Sequence, residues 1–127
     1  MVQQPDDAQR HDRGQATVEF ALALPFVVIL LLGVVQVVVV VRDQLAVGLA
    51  AREGARAASV AADPAAAAHL AATRAVSLSP LDVATVSAGG RVTVTVSYVN
   101  DTSVALIGQL VGNVDLNASV TMSYEPP

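Results

Sequence analysis

FALALPFVVILLLGVVQVVVVV, residues 20–41, decides the fold, because it runs for 22 residues without a charged side chain and 17 of them are Phe, Leu, Ile or Val. As a helix it extends roughly 33 Å at about 1.5 Å per residue, which matches a bilayer hydrocarbon core of about 30 Å. At about −0.3 to −0.6 kcal/mol each, those 17 side chains sum to roughly −5 to −10 kcal/mol for insertion. Gln36, Pro25 and a few small residues do not reverse that balance. A cleaved secretory signal has an apolar region of about 7 to 15 residues and ends in a small-residue cleavage site. This run is longer and ends in valines, so it reads as transmembrane. In water a valine run favours strand, but in lipid only a helix satisfies its own backbone groups.

Working outward, the 127-residue chain is 54% hydrophobic and 14% charged. That surplus is concentrated in residues 20–41, leaving a C-terminal part too small to be comfortably stable without a staple. The chain has no cysteine, so neither a disulfide nor a thiolate metal site supplies one. Net charge is −4, and the seven basic residues, all arginine, are scattered. Without a basic stripe to neutralise phosphates, a nucleic-acid partner is not expected.

Residues 1–13, MVQQPDDAQRHDR, are polar and aperiodic and read as a leader without regular structure. Gly14 separates it from the apolar segment. After Arg42 and Asp43, helix-compatible sequence continues, with Ala51, Ala55, Ala58 and Ala62 forming a small-residue face and Glu53 placed to pair with Arg56. Asp63-Pro64 starts a second helix, with aspartate as N-cap and proline first, running to about Ser77 before Ser79-Pro80. The period then changes to two. Val92, Val94, Val96 and Tyr98 alternate with Thr93, Thr95, Ser97 and Val99, and Gly89-Gly90 marks a hairpin to a partner strand at residues 81–87. A last strand sends Val114, Leu116, Ala118, Val120 and Met122 one way and Asp115, Asn117, Ser119, Thr121 and Ser123 the other. Residues 103–113 read as either a short helix or an apolar loop. The expected fold is α+β and membrane-anchored: a long N-terminal transmembrane helix continuing into an alanine-rich stalk, a second short helix, and a small antiparallel sheet of about three strands lying against the stalk. The expected organisation is a leader over 1–14, transmembrane helix and stalk over 15–62, and an extracytoplasmic helix and sheet over 63–127.

No enzyme chemistry is expected. His11 sits in the leader, and His69 is alone on an alanine-rich helix without the positioned partner that acid–base work needs. Gly89-Gly90 lacks the helix and lysine of a phosphate loop, and the sequons at Asn100 and Asn117 read as ordinary turn and strand-face residues. No cofactor, metal or small-molecule substrate is expected. Glu19, at the start of the apolar run, admits two readings: a wet carboxylate favoured by the helix dipole, or a charge awaiting a cation from another protein. Arginines flank both ends of the span, so charge counting leaves its orientation open.

RGQATVEFALALPFVVILLLGVVQ followed by AREGARAAS resembles the TadE-like family, the minor pilin-like proteins of tight-adherence or Flp-type pilus systems. The resemblance is carried by Gly14, by Glu19-Phe20 opening an apolar helix with a proline five residues on, and by the Glu53-Gly54-Ala55-Arg56 element. The first part is shared with other type IV pilin-like leaders, and the second narrows the choice. The resemblance implies a pilin-like or assembly role without enzymatic activity, a bacterial cell membrane location with the leader cytoplasmic and the C-terminal domain outside, and cleavage by a prepilin peptidase between Gly14 and Gln15. It also implies that Glu19 meets the free amine of a neighbouring subunit, so that partners are the lipid bilayer, other pilin-like subunits, the peptidase and the assembly machinery. Gln36 falls where the family often has an acidic or polar residue. The alternative is an unprocessed single-pass tether whose outer domain binds a protein partner.

Overall fold

The structure is a computed structural model describing residues 6–100 and 107–127, with side chains described from Asp12 onward and not at Ile107. Helix α1 spans Asp6–Ser59, α2 Pro64–Ala75, β1 Asp82–Ala88, β2 Arg91–Asn100, α3 Ile107–Val111 and β3 Val114–Ser123. At about 1.5 Å per residue, α1 is roughly 80 Å long.

The helix starts well before the apolar run. The expected irregular leader is helical from Asp6, and residues 1–5 lie outside the described residues. Adding a residue to an existing helix is far easier than nucleating one. A mid-helix glycine costs only about 1 kcal/mol, so Gly14 does not interrupt what the apolar segment propagates. Pro25 sits within α1 and cannot donate to the carbonyl one turn back. At its other end α1 stops at Ser59, where the Ser59 hydroxyl turns back to donate to the Arg56 carbonyl at 2.8 Å. The C-terminal tail seals this end: Glu125 N–H donates to the Ser59 carbonyl at 2.8 Å and the Tyr124 hydroxyl to the Ala61 carbonyl at 3.1 Å.

Asp63 caps α2 as expected, accepting from Ala66 N–H at 3.1 Å, with Pro64 in the first turn. The helix ends at Ala75 rather than Ser77, because Val76 is already extended. The sheet is antiparallel in the order β1-β2-β3. Gly89 and Gly90 form the hairpin turn with φ of 59° and 71°, the left-handed conformation that a two-residue turn requires at both positions. Residues 107–111 of the ambiguous segment are helical, while Asp101, Thr102 and residues 103–106 lie outside the described residues.

The core forms where α1, α2 and the sheet meet. Val92, Val94 and Val96 of β2 and Leu116 of β3 pack against Val47, Ala50, Ala51, Ala55 and Ala58 of α1, with Ala68 and Ala72 of α2 closing the side. The small-residue face is therefore real over Ala51, Ala55 and Ala58, but Ala62 lies past the helix end and is exposed. The outer sheet face is polar, with hydroxyl contacts at 2.8 Å between Thr93 and Thr121 and 3.0 Å between Thr95 and Ser119.

Candidate functional site

Three places on α1 hold the residues singled out above. The first is the entry to the apolar run. Gly14, Gln15, Glu19 and Phe20 are all exposed on an unbroken helix. Gln15 Nε2 lies 3.5 Å from Glu19 Oε1, one turn on, and the Thr17 hydroxyl donates to the Arg13 carbonyl at 2.9 Å. Among the described residues no cation pairs with Glu19. The Gly14–Gln15 peptide bond is thus held in helical geometry, and nothing lies within 4 Å of where a Gly14 Cβ would stand.

The second place is the Glu53-Gly54-Ala55-Arg56 element, which the structure splits in two. Gly54 and Ala55 face inward, Glu53 and Arg56 outward, and the expected pairing of Glu53 with Arg56 is not formed. A Cβ on Gly54 would stand 3.2 Å from the Ala68 carbonyl oxygen, 3.2 Å from Val94 Cγ1 and 3.5 Å from the Ala72 Cβ. Gly54 marks the crossing of α1, α2 and β2, and its missing side chain sets how closely they approach.

The third place was only partly legible. Gln36 and Asp43, seven residues apart and so on one face of α1, are both buried, with 5% and 7% exposure. Asp43 accepts from the amide of Asn100, itself buried at the end of β2. Gln44 Nε2 donates to the Asn117 carbonyl at 3.0 Å, a second polar tie between α1 and the sheet. Gln36 Nε2 and Asn100 Oδ1 are buried without a partner. Beside Gln36 opens a cleft of about 400 Å³ lined by Gly33, Val37, Val40 and Val41 of α1 with Val111 and Val114. The apolar character of residues 103–113 was visible in sequence, but the placement of Val111 against α1 was not. His69 is exposed on α2, and among the described residues no group of three or more His, Asp or Glu comes together to hold a metal.

Among the described residues one helix is long and apolar enough to cross a membrane, and only 6% of its most apolar window is buried inside the protein. A core helix of a soluble domain would be mostly covered, so the arrangement is that of a candidate membrane span with a small α+β head built on the C-terminal end of the same helix. Residues 14–56 match the family model described as TadE-like protein. The matched segment opens on Gly14 and closes on Arg56, covering the anchor and the part of α1 that scaffolds the head, about a third of the chain. Comparison with curated proteins and with solved structures returns no match.

Proposed function

We propose that this chain is a pilin-like subunit or assembly component of a Tad or Flp-type pilus, held in the bacterial cell membrane by α1, and that it is not an enzyme. The observation that carries the reading is the coincidence of the TadE-like match with the exposed apolar helix and with Gly54 at the crossing of α1, α2 and β2. In this reading residues 1–14 are a cytoplasmic leader and the head lies outside. A prepilin peptidase cuts between Gly14 and Gln15. The bond sits in a helix, so cutting requires local unwinding, which glycine eases because its backbone is the most conformationally permissive. Glu19, exposed and without a cation partner among the described residues, then pairs with the new amine of a neighbouring subunit as both enter lipid.

Mass spectrometry of the protein from its native host tests processing: the expected mature N-terminus is Gln15, and an intact leader on the membrane-resident protein would favour the unprocessed tether. Glu19→Ala is expected to insert normally yet lose co-purification with pilin-like partners. Retained co-purification would reject the pairing.

A further inference from the structure

The geometry points to a second membrane contact: the short helix α3, Ile107–Val111, lies in the lipid alongside the C-terminal end of the apolar run of α1, so that the head rests on the bilayer instead of standing clear of it. This rests on the reading of α1 as membrane-spanning and goes beyond it.

The argument begins with depth. Gly33 lies 13 residues beyond Phe20, and Val41 lies 21 beyond it. At about 1.5 Å per residue these levels are roughly 20 and 32 Å along the span, the outermost third of a hydrocarbon core of about 30 Å. Val111 lines the same cleft as Gly33, Gln36 and Val41, so the end of α3 shares that depth. Composition agrees with position. The sequence IGQLV contains no charge, and Leu110 and Val111 are 79% and 59% exposed. Val111 shares its cleft with Val37 and Val41, which are themselves 62% and 52% exposed. Charges return together on both strands of the chain leaving this region, at Arg42 on α1 and at Asp115 on β3. Both residues are exposed, each immediately after a valine that lines the cleft, Val41 and Val114. Backbone chemistry also fits, because in lipid every N–H and C=O needs an internal partner. The N–H of Gly112 is directed at the Gly108 carbonyl, at 3.2 Å. The cleft of about 400 Å³ between α3 and α1 is walled almost wholly by Val side chains, a space that suits an acyl chain better than water.

The chain has no cysteine, so single cysteines report position cleanly. Full-length Leu110→Cys, Leu30→Cys and Ser87→Cys proteins, labelled with an environment-sensitive fluorophore, are reconstituted at low protein-to-lipid ratio in phosphatidylcholine–phosphatidylglycerol vesicles. Quenching is read with iodide on both sides and with lipids spin-labelled just below the headgroup or at the chain end. Leu30 marks the middle of the span and Ser87 the far end of the sheet. The expected result is that the label at Leu110 loses most of its iodide accessibility relative to Ser87 and is quenched chiefly by the headgroup-proximal spin label. A Leu110 label as open to iodide as Ser87, with Leu30 still lipid-quenched, overturns the proposal and leaves the anchor standing. Iodide reaching Leu30 as well overturns both. Shielding of Leu110 from iodide and from both spin-labelled lipids would mean that a second protein copy covers it, and also overturns the proposal.

Discussion

Gly48 and Gly54 sit six residues apart on the same helix and answer to different forces. At Gly48 nothing lies within 4 Å of an added Cβ, so alanine there only removes the conformational freedom of glycine. At Gly54 the added methyl meets a backbone carbonyl of α2 and a valine of β2 at 3.2 Å each. A flexible side chain end would yield to it, but the Ala68 carbonyl yields only if α2 moves. Gly48→Ala is therefore expected to stabilise the head by about 0.5–1 kcal/mol. Gly54→Ala gains the same helix propensity but incurs overpacking of about 1–3 kcal/mol, for a net loss of about 1 kcal/mol. Thermal melts in detergent micelles followed by near-ultraviolet circular dichroism would check both, and equal shifts of the same sign would refute the distinction. Glu53 and Arg56, which flank this contact in sequence, face solvent, so one four-residue element mixes a packing constraint with free surface charge.

Between elements, the end of β2 is fastened to α1 by a buried polar contact. Asn100 donates to Asp43, and both are nearly solvent-free. Removing the donor alone leaves a buried carboxylate short of a partner, which costs about 1–3 kcal/mol or more for a charged group, whereas replacing both partners with apolar groups is far milder. Asn100→Leu is expected to destabilise the head by about 2 kcal/mol, and the double variant Asp43→Leu with Asn100→Leu to recover most of that loss. Chemical denaturation in micelles, arranged as a double-mutant cycle, measures the coupling, and simple additivity would refute it. The pairing was not readable beforehand. Asp43 follows Arg42 at the end of the apolar run and looks like an ordinary interfacial charge until the sheet folds over it.

Over the whole molecule, the head shares one core with the C-terminal half of α1. The alanine-rich stretch contributes Val47, Ala50, Ala51, Ala55 and Ala58 to the same buried cluster as Val92, Val94 and Val96. Stalk and head should therefore unfold together. Val94→Ala removes two buried methyl groups and is expected to cost about 2 kcal/mol. Hydrogen exchange should then show protection falling by the same factor at amides of residues 47–58 and of 92–96. Loss confined to the strands would mean that the helix is stable independently. Most of these elements were legible because their signals are local. The three- and four-residue alanine spacing, the Asp63-Pro64 start and the Gly89-Gly90 turn each depend on a few neighbouring residues. The helical course of residues 6–13 was not legible, since it depends on a neighbouring helix that is already formed.

Sequence by itself determined the span at residues 20–41, the period-two strands and their hairpin, and the TadE-like pattern from Gly14 to Arg56. Each follows from side-chain transfer energy, backbone preference or motif spacing, none of which needs a distant partner. Tertiary structure alone decided that Gly54 is a crossing point, that Asp43 is buried against Asn100, and that α3 folds back onto residues 33–41 of α1. Those facts depend on residues roughly 15 to 75 positions apart being brought within contact, and no local rule specifies which distant surface a segment will meet.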